Sequence, residues 1–547
     1  MNPICIAHSR RTRRPWLPGL ALLLTAFSSV QFAYADSTAS FSVLHTFSSS
    51  EGSVPYGSLL QGADGRFYGN TAMGGANNLG TVYAVTPAGA LTVLHHFTGS
   101  DGASPAGPLV AAASGTLYGV TEFGGSNDSG TVFSITPSGQ FTLLYTFAAW
   151  ADGANADGIA PRGGLTLGSD GNFYGATTRG GRNDAGTLFR ITPAGVLTTL
   201  YSFNAFNSSQ PDGAMPTTPL VIGADGRFYG TTSVGGTHYS GSLGPGTLYA
   251  LALDGTFSAL HSFTATTDGS SPSGLAPTGD GSFYGATSSG GSNGSGTLFK
   301  ATAQGDITTL YSFSAATTTA TGLQTNNEGA FPVSGVVAGN DGTLYGGTAF
   351  GGTGSGTLFS LAPDNTLTVL HQFSTLSNSA NSDGAVVLNA PIRASDGSIY
   401  GVTAWGGSNG VGVLYKLTMP ALPTISLQLG STQITSGNST TLGWNTSGAS
   451  NCTATGGWSG SRATSGSLTV KPSATTTYTL SCRNISGTTT VSTMLTVNPN
   501  DGSTESGTDP GSGTTSKGGG AMPLWLLAWG LLAGIRSRRR AFTRNNV

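Results

Sequence analysis

At 547 residues the chain has room for several domains, and 37% hydrophobic against 8% charged residues excludes a charge-rich disordered polymer. The net charge of −2 is unevenly spread. Residues 1–35 hold four Arg, residues 521–547 hold five, and neither end holds an acid, so all 24 acidic residues lie between. An acidic body with no basic patch argues against a nucleic-acid partner.

The chain begins basic and then apolar, "RRTRRPWLPGLALLLTAFSSVQFAYAD", with Ala33-Tyr34-Ala35 ahead of Asp36. That order predicts a secretory signal peptide over 1–35, cut by signal peptidase after Ala35. "SRR" at 9–11 raises the twin-arginine route, but Arg13 and Arg14 stand where that signal prefers apolar residues, so general secretion is the expectation. Cys5 leaves with the signal. Cys452 and Cys482 remain, and an exported pair predicts one disulfide. Neither has a CxxC partner or a nearby His, which argues against zinc.

One motif then recurs seven times: "RFYGNTAMGG", "TLYGVTEFGG", "NFYGATTRGG", "RFYGTTSVGG", "SFYGATSSGG", "TLYGGTAFGG" and "SIYGVTAWGG". Its Tyr stands at 68, 118, 174, 229, 284, 345 and 400, and Gly-Gly follows six residues later each time. Long periods of this kind, with four strands per unit, mark propeller blades. The first unit divides into runs at Ser58–Gly62, Arg66–Thr71, Thr81–Thr86 and Leu91–Phe97. Asp64-Gly65 and Pro87-Ala88-Gly89 supply the hairpin turns. No stretch has helical periodicity. The predicted fold is all-β, a seven-bladed β-propeller over 41–418.

An orphan "FSVLHTF" at 41–47 matches "LTVLHHF" at the end of the first unit, while the last unit stops after "GVLYKLT" at 412–418. The orphan is expected to complete the seventh blade and cover its edge. The Gly of each Tyr-Gly is expected to relieve crowding between neighbouring blades near the axis. The paired Gly should take left-handed backbone where the second strand turns over the rim.

The Tyr-Gly, Gly-Gly and Gly-Thr-[Val/Leu]-[Phe/Tyr] signatures resemble the GloVer tandem-repeat family of bacterial surface proteins. The likeness covers residues 41–418, with one departure at Gly412-Val413, where six copies have Gly-Thr. The resemblance implies the architecture and brings no established activity.

Beyond Pro420–Pro423, alternation in "TTLGWNTSG", "SGSLTV" and "TTTYTLSC" predicts a small β-sandwich over 424–497. It resembles the Ig-like modules of bacterial surface proteins, with Trp444 as a core residue. The Cys452–Cys482 bridge would close a loop of about 30 residues. Residues 498–520 read as a Gly/Ser/Thr stalk. In 521–547 the apolar run Pro523–Ile535 is short for a membrane span and ends at an Arg cluster. With Gly518–Gly520 it resembles the GlyGly-CTERM sorting signal, which implies cleavage near Gly520 by a rhomboid-type protease and passage to the surface. A plain tail anchor is the alternative.

No catalytic residue is assigned. "GGSNG" at 290–294 and 406–410 matches G-x-S-x-G but lacks the helix that a nucleophile elbow needs. His45, His95, His261 and His371 share one repeat position with Tyr145, Tyr201 and Tyr311, which reads as a half-buried strand site. Glu51, Asp101, Asp157, Asp212, Asp268, Glu328 and Asp383 precede a Gly between the fourth and first strands of every unit. Turn formation explains Asp there, but Glu makes the short turn poorly, so a calcium or charged-ligand role stays open. Calcium is the one cofactor the sequence raises. "DGANADG" at 152–158 approaches a calcium loop, but Gly153 stands where the first Asp belongs.

Long insertions, such as "SAATTTATGLQTNNEGAFP", fall only in loops joining fourth to first and second to third strands. Those loops must share one face, and the other face keeps short turns. The residue before each Gly-Gly is Met73, Phe123, Arg179, Val234, Ser289, Phe350 or Trp405. A position taking both Arg and Trp belongs at an exposed rim. Phe123, Phe350 and Trp405, with Trp150 in a long loop, are therefore the ligand-binding candidates. The functional expectation is an exported, surface-anchored, monomeric bacterial module that binds a glycan or a surface protein. A secreted polysaccharide lyase or hydrolase and a plain structural spacer are the alternatives.

Overall fold

The computed structural model describes residues 39–151, 155–204, 212–238, 244–320, 322–339 and 341–500. The expected signal peptide with Ala35, the stalk from residue 501 onward and the sorting signal with Gly520 lie outside the described residues.

Every regular element among the described residues is a β-strand, and none is a helix. Seven antiparallel sheets follow one another over residues 40–418, each filling four strand positions. Sheet one takes Ser53–Pro55 with Leu60–Gln61, then Phe67–Met73, Thr81–Val85 and Leu91–His96. Sheet seven takes Ile392–Arg393, Ile399–Thr403 and Val413–Thr418 from the end of the repeats and Ser40–Thr46 from their start. The orphan strand pairs as expected, from Ser40 opposite Thr418 to Thr46 opposite Val413. The segment read as the longest irregular loop instead holds Thr317–Thr318 and Gln324–Ala330, which pair in a small three-stranded arm with Phe350–Gly352.

Each sheet is buried on both faces, which is why its middle strands read as apolar runs. Tyr68, Val82 and Phe97 of sheet one meet Leu109, Leu117 and Phe133 of sheet two. Equivalent clusters join each later pair of neighbours. Phe47, Tyr400 and Leu414 of sheet seven pack on Leu59, Phe67 and Tyr83 of sheet one.

The Gly of Tyr-Gly has a different cause from the one expected. A Cβ on Gly69 would collide with the Tyr83 ring, and at Gly119, Gly175 and Gly285 with Phe133, Phe189 and Phe299. The crowding comes from the third-strand aromatic of the same sheet. Neighbouring sheets crowd elsewhere. A Cβ on Gly80, just ahead of a third strand, would strike Pro105 of the next sheet, and Gly412 faces Pro55 in the same way.

The prolines belong to a first-strand motif that the repeat alignment on Tyr-Gly does not reveal. Val54, Ser104, Ala160, Met215, Ser271, Phe331 and Val386 all have left-handed backbone, with φ between 51° and 62°. Six of them precede Pro, where the residue is ordinarily pushed toward extended backbone. Such strain persists only where the surroundings over-determine it. Each N–H donates to a carbonyl of the preceding sheet, over 2.7 to 3.2 Å, and Val54 donates to Val411 of sheet seven. The same left-handed residue breaks the alternation of the strand, so the sequence reading missed Ser53–Pro55.

Gly412-Val413 now has a physical consequence. In the other six sheets a third-strand Thr hydroxyl donates to the backbone carbonyl of the loop acid, as Thr81 does to Glu51 at 2.7 Å and Thr297 to Asp268 at 2.9 Å. Val413 is fully buried and offers no hydroxyl to Asp383. Val413→Thr should therefore add about 1 kcal/mol of stability. A calorimetric scan showing no rise in melting temperature would contradict this.

Residues 424–498 form a three-stranded and a five-stranded sheet around one core that includes Leu427, Leu442, Trp458, Tyr478 and Leu495. The three expected strands form at Thr440–Ser447, Ser465–Val470 and Thr476–Asn484. Cys452 and Cys482 are disulfide-bonded and sit opposite each other on adjacent strands. Trp458 is buried in this core, and Trp444, the residue expected there, packs against it with the two rings 5.0 Å apart. Trp444 is half-buried and donates its Nε1 to the Ala463 carbonyl at 2.9 Å. Tyr345 of sheet six reaches this part of the chain, donating to the Ile485 carbonyl at 2.7 Å.

Candidate functional site

The fourth strand of every sheet carries a β-bulge at a Leu: Leu44, Leu94, Leu144, Leu200, Leu260, Leu310 and Leu370. A bulge re-aims the side chain that follows it, and the next residue is the shared His or Tyr. That side chain turns to the loop acid of its own sheet. His95 Nε2 lies 2.9 Å from Asp101, His261 2.7 Å from Asp268, and His371 2.9 Å from Asp383. His45 lies 3.3 Å from Glu51. Tyr145 and Tyr201 donate to Asp157 and Asp212 at 2.8 Å, and Tyr311 donates to Glu328. Each acid also accepts a backbone N–H just past the fourth strand, as Asp268 does from Thr264 at 2.7 Å.

The seven candidate calcium ligands are therefore each committed to their own sheet, and the structure does not bring them together. Among the described residues no group of three metal-ligating side chains converges. The sequence showed the His/Tyr position and the acidic position separately. Their coupling was legible only in the fact that both alternatives, His and Tyr, can donate to a carboxylate.

Acid should loosen this arrangement in two steps. Burial, working against the hydrogen bond that each ring donates to its paired carboxylate, holds His95 and His371 below the ordinary His value. A histidine whose folded pKa is depressed stabilises the protein above its unfolded value, about 6.5, and that stability is lost as pH falls below it. Burial raises Glu51 and Asp268, but hydrogen bonds from Ser48, and from His261 and Thr264, outweigh it and leave both lowered. Carboxylates of that kind stabilise above their unfolded value near 4 and stop doing so as pH falls through the folded one. The melting temperature should fall first below pH ~6.5 and again below pH ~4. A flat profile from pH 8 to 5 would contradict the first step.

The fourth-to-first and second-to-third loops are joined at one end of the sheets. Gly75 N donates to Ser49 O, and Gly125 N to Gly99 O, both at 2.8 Å. Two longer loops keep that anchor by a side chain instead: Asn155 Oδ1 accepts from Gly181 at 3.1 Å and Asn381 Oδ1 from Gly407 at 2.9 Å. The opposite end has tight turns closed by bonds such as Gly65 N to Gly62 O and Gly89 N to Thr86 O. Ligand candidates Phe123, Phe350, Trp405 and Trp150 are exposed by 41 to 47%, and Met73 by 51%. Phe123 is in sheet two and Trp150 in the loop that follows it, Phe350 is in the small arm and Trp405 beside sheet seven, and among the described residues no ring contact joins them. Phe350 meets Phe331 edge-on at 6.0 Å, and the Arg179 guanidinium sits 5.4 Å above the Trp150 ring.

A feature without a continuous sequence signature lies where the first strands converge. The residues after the left-handed positions line a cavity of about 150 Å³ that includes Tyr56, Gly107, Arg162, Thr217, Ser273, Val333 and Asn389, one or more from each sheet. Its members stand some fifty to sixty residues apart, so no local pattern groups them. Arg162 pairs with Glu122 at 3.1 Å, and Glu122 is the residue before Phe123.

No curated protein matches the chain. Among solved structures it is similar to the extracellular domain of a hybrid two-component system from B. thetaiotaomicron, with 9% identity and a TM-score of 0.40, over 84% of this chain and 59% of that one. It is similar to a gluconolactonase from Xanthomonas campestris, with 11% identity and a TM-score of 0.35, over 70% and 90%. A PQQ-bound aldose sugar dehydrogenase from Streptomyces coelicolor gives 12% identity and a TM-score of 0.37, over 70% and 98%. At such scores these likenesses carry no argument about activity. The family model of the Gloeobacter/Verrucomicrobia repeat matches residues 25–243, 154–331 and 205–388, together well over half the chain. The chain belongs to the Gloeobacter/Verrucomicrobia repeat family.

Proposed function

We propose that the seven sheets are the blades of one closed β-propeller, followed by an Ig-like module. In this reading the protein is exported, held at the bacterial surface, and acts as a non-enzymatic binding module through the end of the ring that carries the Gly-Gly turns. Its ligand is a glycan or another surface protein. The closed ring is supported by the inter-sheet bond from Val54 to Val411 and its six counterparts. Export and anchoring rest on the sequence of the two ends.

One observation carries the choice of face. Large apolar side chains, Met73, Phe123, Phe350 and Trp405, recur exposed at a single repeat position, beside the loops that vary in length. Rigidly held variable loops are where binding residues concentrate, and exposed aromatics serve both sugar stacking and protein anchoring. The test is a glycan array and a pull-down from neighbouring cells with residues 36–500, followed by the variant F123S/F350S/W405S. The triple variant should lose roughly tenfold or more in affinity, as loss of aromatic anchors does, with its melting temperature unchanged. Equal affinity would place the site elsewhere, and failure to capture any ligand would favour the spacer.

A further inference from the structure

We propose that the cavity among the seven first strands binds a single neutral sugar ring, with Arg162, Asn389, Ser58 and Thr217 meeting its oxygens. This rests on reading the chain as a glycan-binding module, and it adds to that reading a second sugar subsite, separate from the aromatics of the Gly-Gly end.

Size comes first. A cavity of about 150 Å³ is comparable to one that holds a benzene ring, so this partly open site takes one sugar ring with some of its exocyclic groups left outside, and no more than one.

Charge narrows the class. Arg162 is the one guanidinium in the lining, and Glu122 already neutralises it: Nε and Oε2 lie 3.1 Å apart, although the N–H is off line for a hydrogen bond. An anionic ligand would leave a net negative charge in a partly enclosed space, which is costly. A neutral ligand leaves the pair balanced.

Polarity specifies the ligand further. Asn389 accepts from the Gly57 N–H at 2.8 Å through Oδ1, while its Nδ2 is buried without a partner. Buried polar groups are almost always paired, so an orphaned amide donor needs an explanation. Among the described residues the Nη atoms of Arg162 and the hydroxyls of Ser58 and Thr217 make no hydrogen bond within the protein, and unlike the Asn389 amide they are open to solvent and so to a ligand entering the cavity. Other hydroxyls in the lining are turned back into the sheets: Ser273 donates to Pro332 O at 2.8 Å and Ser334 to Gly347 O at 3.1 Å. The groups left free are mostly donors, and they ask for a ligand rich in acceptor oxygens. Tyr56, whose ring lies 6.0 Å from the Arg162 guanidinium, together with Val333 and Leu388, adds an apolar wall suited to the C–H face of a sugar.

The test is calorimetry and saturation-transfer NMR on the full-length protein with glucose, galactose, N-acetylglucosamine and glucuronate. At least one neutral sugar should bind. Asn389→Leu, Ser58→Ala and Thr217→Val should each weaken it, by about tenfold for the orphaned amide, and F123S/F350S/W405S should leave it within about twofold. Ser58→Ala and Thr217→Val keep the test decisive should Asn389→Leu fail to fold. Three results would overturn the inference: no binding of any neutral sugar, glucuronate binding more tightly than glucose, or unchanged affinity in all the cavity variants. The first of these together with loss of an array-captured glycan in the rim triple variant would overturn the inference while leaving the binding-module reading intact.

Discussion

Deleting residues 36–48 should lower the melting temperature by roughly 10 °C, because it removes two packed aromatics, each worth about 3–5 kcal/mol, and each kcal/mol moves a unit of this size by about 1 °C. The deletion removes Phe47, which is fully buried and packs edge-on to Tyr83 of sheet one at 5.2 Å. It also removes Phe41, stacked on His371 of sheet six at 3.7 Å and near Tyr415 at 5.6 Å. Sheets six, seven and one therefore lose contact area together. The strand Val413–Thr418 becomes an open edge, and open edges recruit other chains. Calorimetry should show a lower and broader transition, and light scattering should show association. Unfolding indistinguishable from the parent would mean that the orphan strand closes nothing.

Asp268→Ala is expected to cost about 2–4 kcal/mol, since it strands several donors in a partly buried loop. His261 Nε2 at 2.7 Å, Thr264 N at 2.7 Å and Thr264 Oγ1 at 2.5 Å all bond to that carboxylate. The repeats themselves supply the control. Tyr with Asp occurs at Tyr145 and Asp157, so His261→Tyr should stay within about 1 kcal/mol of the parent. His261→Leu should resemble the Asp268 variant. Added calcium should rescue neither. If Asp268→Ala melts like the parent, the acid is a turn former and nothing more. If calcium restores its stability, the metal reading returns.

What was legible in the sequence follows from where the periodicity survives. Tyr68 and its six counterparts sit in the second strand, whose pattern is unbroken, so sheet number and the pairing of residues 41–47 with the last sheet could be read directly. The first strand could not, because left-handed residues such as Val54 and Ser104 interrupt its alternation. The clamp between His or Tyr and the acid was half visible. Both partners were noticed, but the bulge at Leu44 or Leu94 that turns one toward the other leaves no local signature. In the sandwich, Trp444 is the core residue that the sequence suggests, and the more deeply buried Trp458 is not. The choice depends on which side of its sheet each ring lies, and the loop around Gly456-Gly457 hides that parity. The cavity was out of reach, because Tyr56, Arg162 and Asn389 become neighbours only when all seven sheets are assembled.

The central claim is that binding uses one end of the ring, and hydrogen exchange in the presence of the strongest array ligand tests it most directly. Protection is expected at the Gly-Gly turns around 73–80, 123–130 and 405–412 and in the loops near 98–103. None is expected at the Asp64-Gly65 or Pro87-Ala88-Gly89 turns or their counterparts. Protection concentrated in those short turns, with the Gly-Gly end exchanging as in the free protein, would contradict it.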